Sequence, residues 1–291
     1  MRIIGRVAIG VVCACALFAP MRAAGTLVFT TIDVPGATLT NAQDINNQGD
    51  VVGWYNDTAG LTHGFLRSRG EYRTVDVPNA RITGARSIND SGDIVGSYQR
   101  QSETGGIPGH GFLLTRRGGF FSIDYPGHLN TIAQRIVDDG TIVGCYHDTD
   151  QMGTMHGMIF RRGRFSALDM GDTMNNGATP DVTYISGHFT DSDGRTKGYV
   201  VERGTFSRLE VPGALFTIAW DVNASRVIAG AFGDAAGRAH GFTYDGRTFT
   251  GVDAPGAAQT RVFGINDRGD LVGFFIDPAG RTHGFVAQVS Q

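Results

Sequence analysis

Five histidines stand at equivalent places in the sequence, each followed by a glycine and then a phenylalanine or methionine. Histidine binds metal ions and transfers protons near neutral pH. Residues related by a repeat belong to separate structural units, which would hold them too far apart to share one metal ion through bonds of ~2 Å. We therefore interpret each histidine as a hydrogen-bonding residue that fixes a neighbouring strand or turn. The five are His63, His110, His156, His240 and His283.

Aspartate recurs in two settings that could supply carboxylates for catalysis or for calcium. One set follows a glycine in a repeated turn, and the other occupies loops such as Asp148-Thr-Asp150 and Asp191-Ser-Asp193. Alternate aspartates can ligate Ca²⁺, but these loops lack the later glutamate of an EF-hand. We interpret both sets as residues that lock turns, and we predict no cofactor, with calcium as the weaker alternative. The turn aspartates are Asp50, Asp93 and Asp270.

Cysteine and the common catalytic motifs give little support for an enzyme. Cys13 and Cys15 lie in the first 25 residues, and Cys145 is the third cysteine of the chain. No His–Asn or His–Asp pattern marks Cys145 as a nucleophile, and a lone thiol is more often buried and inert. The sequence also lacks a nucleophile elbow, a phosphate-binding loop and a zinc signature. We predict no catalytic residues, although two acids that converge in a fold could hydrolyse a glycosidic bond.

The elements that position these residues are six copies of one unit. The segment Ile-Asn-Asn-Gln-Gly-Asp-Val-Val-Gly at 45–53 returns with small changes at 88–96 and 265–273. Successive units are 43 residues apart, except for one spacing of 48. A marker of the type Asp-Val-Pro precedes the segment, and His-Gly-Phe follows it in most units. The closing glycines of the segment are Gly53, Gly96, Gly144, Gly187, Gly230 and Gly273.

Each unit contains four strand-like runs, which cover 28–34, 41–45, 50–55 and 64–69 in the first unit. They are short, rich in β-branched or aromatic residues, and bounded by Gly, Pro, Asn or Asp. Glycine accounts for 43 of 291 residues, about twice the usual ~7%, which suits tight turns and disfavours helices. Four strands in ~43 residues are typical of a propeller blade. We predict an all-β fold, a six-bladed β-propeller of four-stranded blades, with an open array of β-repeats as the alternative.

The two ends of the repeat region are complementary halves of one hairpin. The first strand, 27–34, has no His-Gly-Phe strand before it, and the last, 284–289, has no strand after it. We predict that these N- and C-terminal strands pair antiparallel. Such pairing would close the ring of blades and remove an exposed sheet edge.

The repeated segment, together with the His-Gly-Phe marker, resembles the bacterial HAF-type extracellular repeat family over nearly all of 28–289. This chain has glycine where the family name has alanine, and it lacks the tryptophan that often follows. The resemblance implies export and a repeated architecture. It implies no activity, substrate or catalytic residue.

The first 25 residues are predicted to be an export signal. Arg2 and Arg6 precede a 13-residue apolar run at 7–19, and small residues follow up to Gly25, as in a secretory signal peptide. The run falls short of the ~20 residues that span a bilayer. We therefore predict a signal peptide at 1–25 and one repeat domain at 26–291, secreted or periplasmic, without a transmembrane segment in the mature chain. A lipobox-like segment at Cys15 leaves a lipoprotein as the alternative.

The net charge of the chain and the irregularity of some repeat units indicate what class of molecule it binds. Removal of the three arginines in 1–25 changes the formal charge from −3 to −6, which is unfavourable for nucleic-acid binding. Units two to four are the least regular, and variable loops often carry function, although drift explains them equally simply. We predict a non-catalytic exported scaffold that binds a glycan or a surface protein; the alternative is a hydrolase of extracellular polymer with acids near the propeller channel. The candidate site residues are Glu103, His147, Asp148, Asp150, Asp172, Asp181 and His188.

Overall fold

The computed structural model describes residues 22–23 (backbone only), 27–103, 109–149 and 155–290. These residues form β-strands joined by turns and loops, so the predicted all-β fold is confirmed. Most of the predicted signal peptide lies outside them, and its residues Arg22–Ala23 (β1) pair in parallel with Thr250 and Gly251. Across the described ranges, no helix is long and apolar enough to cross a membrane.

Four consecutive strands pair antiparallel in each of five sheets, and a sixth sheet takes its outer strand from the start of the chain. A single parallel bridge between Thr62 and Ile82 joins sheets 1 and 2. Sheet 1 contains β3 (Leu39–Ile45), β4 (Val51–Asn56), β5 (Thr62–Ser68) and β6 (Glu71–Val75); sheet 2 contains β7 (Ala80–Ile88), β8 (Ile94–Arg100), β9 (His110–Leu114) and β10 (Phe120–Ile123); sheet 3 contains β11 (Asn130–Ile136), β12 (Ile142–His147), β13 (Met155–Arg161) and β14 (Arg164–Ala167). Sheet 4 contains β15 (Thr173–Ala178), β16 (Tyr184–Thr190), β17 (Thr196–Glu202) and β18 (Thr205–Leu209); sheet 5 contains β19 (Thr217–Val222), β20 (Ile228–Gly233), β21 (Ala239–Tyr244) and β22 (Phe249–Val252); sheet 6 contains β23 (Gln259–Ile265), β24 (Leu271–Ile276), β25 (Thr282–Val289) and β2 (Leu27–Thr31).

The first strands of successive sheets contact one another, including β23 of sheet 6 and β3 of sheet 1. We use three names for parts of this arrangement. The "centre" is the region where the first strands meet. The "start end" is the side where these strands begin, and the "turn end" is the side where they lead into the repeated turn. Apolar side chains fill the space between neighbouring sheets, and one such cluster joins Val272 of sheet 6 to Ala42 and Phe65 of sheet 1. Burial of these faces is the main stabilising contribution of such a fold.

The predicted pairing of the first and last strands is present. Strand β2 pairs antiparallel with β25, from Leu27 opposite Val289 to Thr31 opposite Phe285. The rings of Phe29 and Phe285 lie 5.2 Å apart across this pair. The first strand ends at Thr31 and not at position 34 as predicted, because the Val34 N–H leaves the sheet and donates to the Thr40 hydroxyl at 2.9 Å.

That threonine recurs in every unit and escaped the sequence analysis. It is the first or an early residue of each first strand, and its buried hydroxyl accepts a hydrogen bond from the backbone N–H of the loop that precedes the strand. The backbone N–H group of the loop thereby has a hydrogen-bond partner although the loop does not pair with a strand. The donor and acceptor pairs are Val34 and Thr40, Val77 and Thr83, Tyr125 and Thr131, Met170 and Thr173, Val211 and Thr217, and Ala254 and Thr260.

Candidate functional site

The repeated histidines and the aspartates of the Asp-Val-Pro marker form one cluster in each of five sheets. The Nδ1 atom of His63 lies 2.7 Å from Asp76, and its Nε2 atom lies 3.4 Å from Asp57 in the loop before the histidine strand. Sheets 2, 3, 5 and 6 repeat this pattern, and in sheet 6 the bond from His283 to Asp33, at 2.7 Å, ties the two ends of the chain together. The histidines thus lock strands and loops, as interpreted from the sequence.

Sheet 4 achieves the same connection with a different residue. Lys197 stands where the other sheets have histidine, and its Nζ atom lies 3.2 Å from Asp191 and 3.1 Å from Asp193. A lysine stays charged throughout the range in which histidine titrates. The sheet 4 cluster is therefore a natural control for the histidine clusters.

Raising the pH should destabilise the protein through these clusters. Hydrogen bonding to Asp33 raises the pKa of His283 above its ordinary 6.5; partial burial opposes the same rise for His240, but Asp253 and Asp234 outweigh it. When folding raises the pKa of a histidine, its protonated form stabilises the folded protein. This stabilisation is complete below the ordinary pKa and is lost as the pH rises through the pKa of the folded state. We expect the melting temperature to fall by several degrees between pH 6 and pH 9, since each kcal/mol lost from the free energy of unfolding lowers it by ~2–4 °C.

The control for this prediction is His240→Lys, which copies sheet 4 and should reduce the alkaline slope of melting temperature against pH. An equal slope in wild type and variant would contradict the prediction. At acid pH the opposite sign applies, because backbone N–H groups lower the pKa of Asp234 and Asp277 to about 2. Stability from these carboxylates is lost as the pH falls through that value.

Two of the predicted site residues belong to these structural clusters. The Glu103 carboxylate lies 2.8 Å from His110 Nε2, and Asp148 contacts both His156, at 3.0 Å, and His128, at 2.9 Å. A third candidate, Asp150, lies outside the described residues. Within those residues, no group of three or more His, Cys, Asp or Glu side chains is arranged to hold a metal ion.

Asp181 lies at the turn end of sheet 4, away from the other candidates, and supports a strained turn. The adjacent Val182 has φ of 57°, an unfavourable value for a β-branched residue. The Asp181 carboxylate accepts hydrogen bonds from the hydroxyls of Thr179 and Thr183, at 2.7 and 2.8 Å. These bonds lower its pKa to about 2, so the residue acts as a turn lock.

The remaining three candidates come together at the start end of sheets 3 and 4. His147 is buried with its Nε2 atom 3.7 Å from Cys145 Sγ. The charge of Asp172 acts on both Cys145 and His188. Burial raises the pKa of Cys145 to about 12 and lowers that of His188 to about 4, so the thiol stays protonated and the imidazole neutral. The expectation of a buried, unreactive Cys145 is consistent with this arrangement.

Side chains that differ in chemistry from one sheet to the next lie at the centre. Every first strand carries a one-residue bulge at the same register, and bulges re-aim side chains. At the bulge the otherwise repeated sequence changes from sheet to sheet. In order from sheet 1 to sheet 6, the bulged residues are Gln43, Arg86, Gln134, Asn176, Trp220 and Phe263, and the residues after them are Asp44, Ser87, Arg135, Gly177, Asp221 and Gly264.

The residues that follow the bulged residues form a buried cluster of ion pairs, which we call the plug. The Arg135 guanidinium of sheet 3 pairs with Asp44 of sheet 1 and, at 2.6 Å, with Asp221 of sheet 5. Burial favours the neutral form of arginine, but the two carboxylates outweigh it and raise the pKa of Arg135. The glycines of sheets 4 and 6 leave the necessary space, since a Cβ on Gly177 would lie 2.7 Å from the Asp221 Cα atom.

Each carboxylate oxygen of the plug has a partner. Ser87 donates its hydroxyl to Asp44 Oδ2 at 2.6 Å, and backbone N–H groups freed by the bulges donate to both acids. On the turn-end side, the plug and the repeated turns line a shallow cavity of about 80 Å³ that is open to solvent. Asparagine side chains there bond from one turn to the next, as from Asn46 to the Asn89 carbonyl at 3.2 Å and from Asn266 to the Asn46 carbonyl at 3.1 Å.

The bulged residues lie on the start-end side of the plug and form a different surface there. We define the central arc as Arg86, Gln134, Asn176, His188, Trp220 and Phe263. Arg86 donates to Gln134 Oε1 at 3.1 Å, and Asn176 donates to His188 Nδ1 at 2.8 Å. The Trp220 ring lies 5.7 Å from that of His188 and 4.8 Å from that of Phe263. The contacts of Arg86 and of Trp220 connect neighbouring sheets around the centre.

Two polar atoms of the central arc are buried without a hydrogen-bond partner among the described residues: Asn176 Oδ1, an acceptor, and Trp220 Nε1, a donor. Buried polar atoms are rarely left in this state. Of the arc, sequence reasoning had identified His188 alone. The signal that could have found the others is the variation at one register position within a strand whose remaining positions repeat.

Comparison with known proteins places this fold among β-propellers. The chain is similar to the β-propeller domain of the Trilobed protease from Pyrococcus furiosus (10% identity, 88% of this chain and 97% of that one, TM-score 0.53). It is similar to a gluconolactonase from Xanthomonas campestris (11%, 92% and 97%, TM-score 0.52), and to the fucose-recognising, six-bladed lectin of Aleuria aurantia (11%, 92% and 93%, TM-score 0.50). No protein-family model matches the chain, and neither does any curated protein sequence. At these identities the likeness establishes the β-propeller fold alone.

Proposed function

We propose that this chain is an exported, non-catalytic glycan-binding protein of the HAF-type repeat class, folded as a closed six-bladed β-propeller whose ligand lies against the central arc. The contacts of sheet 6 with sheet 1 and the pairing of β2 with β25 support the closed ring. The apolar run and flanking arginines at 1–25 support export through a cleaved signal peptide.

One observation carries the proposed site: the repeat is broken at the centre, where polar atoms are left without partners. The histidine clusters recur from sheet to sheet and satisfy one another, which is the behaviour of a scaffold. Asn176 is completely buried, yet its Oδ1 atom accepts no hydrogen bond from the described residues. Asn176 Oδ1 and Trp220 Nε1 are both closed to solvent in this structure, so a ligand hydroxyl would reach them only after these side chains rotate. A hydrogen bond formed there would remove the cost of the unmet hydrogen bond.

The composition of the central arc fits a sugar. Trp220 and Phe263 offer ring faces for the apolar C–H surface of a pyranose, while Gln134, Asn176 and Arg86 supply donors and acceptors. Sites of this kind combine apolar contact with a few placed polar groups. The similar lectin is a sugar-binding propeller, which agrees with this proposal without requiring the same site.

The alternative of a hydrolase has less support. Asp44 and Asp221 of the plug are ion-paired to Arg135 and hydrogen-bonded to backbone N–H groups. Asp90, Asp138 and Asp267, which line the cavity at the turn end, each accept a hydrogen bond from a backbone N–H group of a neighbouring turn. A glycosidase needs one carboxyl group to donate a proton and another to act as base or nucleophile. Burial raises the pKa of Asp221 to about 7, but the oxygens of Asp44 and Asp221 already bond to Arg135, Ser87 and backbone N–H groups, which leaves both acids poorly placed to contact a substrate.

Screening the mature chain, residues 26–291, against a glycan array tests the proposal. We expect binding, and we expect Trp220→Ala to weaken it at least tenfold, which corresponds to ~1.4 kcal/mol, because the ring face and the N–H are both removed. The matched control is Phe121→Ala, which removes an exposed aromatic ring from the outer strand β10 of sheet 2. Unchanged binding by a folded Trp220→Ala protein, or an equal loss in the control, would place the ligand elsewhere.

A further inference from the structure

We infer that the sugar bound at the central arc carries a carboxylate, as a uronic acid does, and that Arg86 receives it; this inference rests on the proposed glycan-binding function. The reasoning begins with the charges on the start-end side of the plug. Three positions of each sheet lie there: the residue after the repeated threonine, the bulged residue, and the residue after the closing glycine.

None of these positions is acidic in any sheet, whereas two are arginine and one is histidine. Register pairs the residue after the closing glycine with the residue after the threonine, as Trp54 pairs with Asn41 and His188 with Met174. The arginines are Arg86 of sheet 2 and Arg261 of sheet 6. The acids of the adjacent plug have all their oxygens engaged by Arg135, Ser87 and backbone N–H groups, and Asp172 lies at the rim beside His188.

Arg86 is a partly buried cation whose described partners are all neutral. Its guanidinium donates to Ser97 Oγ and to Gln134 Oε1, both at 3.1 Å, and it forms no ion pair with a carboxylate of the described residues. Burial lowers the pKa of this guanidinium, which reflects the cost of holding its charge away from water. A partly buried charge is normally paired, and a planar guanidinium matches a carboxylate through two parallel hydrogen bonds.

The other groups of the arc define the rest of the ligand. Asn176 Oδ1 needs a donor, Trp220 Nε1–H needs an acceptor, and the Trp220 ring offers a flat apolar face. A hydroxylated ring with one carboxylate supplies all of these, because its hydroxyls donate and accept and its C–H face stacks. A neutral sugar leaves Arg86 without a counter-charge, and a simple carboxylate such as acetate leaves the Asn176 and Trp220 atoms unsatisfied.

The test measures binding of galacturonate, galactose and acetate to the mature chain by calorimetry, for wild type, Arg86→Gln and the exposed control Arg247→Gln. We expect galacturonate to bind at least tenfold more tightly than galactose or acetate. Arg86→Gln should abolish the preference for galacturonate over galactose, while Arg247→Gln should keep it. Increasing salt should weaken wild-type binding of galacturonate and leave the binding of galactose unchanged.

Other outcomes separate the two proposals. Galactose bound as tightly as galacturonate would overturn the inference and leave glycan binding intact. A preference for galacturonate that survives Arg86→Gln would also overturn it, because the carboxylate would then lie elsewhere. If the glycan array and both sugars show no binding to folded protein, the proposed function itself fails.

Discussion

Replacing Arg135 with methionine should lower the free energy of unfolding by about 3–5 kcal/mol, the usual cost of breaking a buried ion pair by removing one partner. The change leaves Asp44 and Asp221, which are 1% and 2% exposed, as uncompensated carboxylates at the centre. Urea unfolding at pH 7, followed by fluorescence, measures the effect. Because burial already raises the pKa of Asp221, the variant should also regain stability as the pH is lowered and that group takes up a proton.

Two companion variants make the result specific. Adding Asp221→Asn to Arg135→Met removes one unpaired charge and should recover at least half of the loss. Arg161→Met breaks an exposed ion pair with Asp139, at 2.7 Å, and should cost no more than about 1 kcal/mol. If Arg135→Met cost as little as Arg161→Met, the plug would contribute nothing to the stability of the centre.

The second large effect concerns the closing glycines. In Gly96→Ala the new Cβ would lie 2.0 Å from the Gly84 carbonyl oxygen and 2.7 Å from the Phe112 ring. Overpacking of a core typically costs 1–3 kcal/mol, and a collision with backbone is harder to relieve than one with a side chain. We therefore expect a loss of about 3 kcal/mol or more in denaturant unfolding.

Gly84→Ala is the matched control, because it is the same substitution in the neighbouring strand of the same sheet. Its Cβ would come no closer than 3.9 Å to Ser97 O and to the Trp54 ring, and glycine replacement at an unstrained site tends to stabilise by ~0.4–1 kcal/mol. Similar losses in both variants would show that close strand approach is not the reason for the repeated glycine.

The closing glycine was the clearest landmark of the sequence, and its structural reason is now specific. The first and second strands of each sheet approach so closely at the bulge that no Cβ fits between the glycine and the opposite carbonyl, as for Gly53 against Asn41 O and Gly273 against Arg261 O. A requirement that recurs in every sheet leaves the same residue in every unit. This is why repetition predicted the strands, the turns and the histidine clusters well.

Local sequence therefore determined the elements and the contacts that each unit makes within itself or with the next. The turn glycine Gly49 has a φ of 84°, which glycine adopts without strain, and His63 contacts its aspartates in its own unit and at the start of the next. The two contacts of His63 join residues at most 13 positions apart along the chain. A pattern repeated along the sequence is sufficient to reveal them.

The tertiary structure alone decided the plug and the central arc. Arg135 pairs with acids 91 and 86 positions away, and the arc collects six residues from five sheets. Each of these residues occupies a register position that is unremarkable within its own strand. Their chemistry emerges only where first strands from different sheets meet, because the bulges turn dissimilar side chains toward a common centre. Variation between repeats marks these positions in the sequence, but only the fold shows that they share one space.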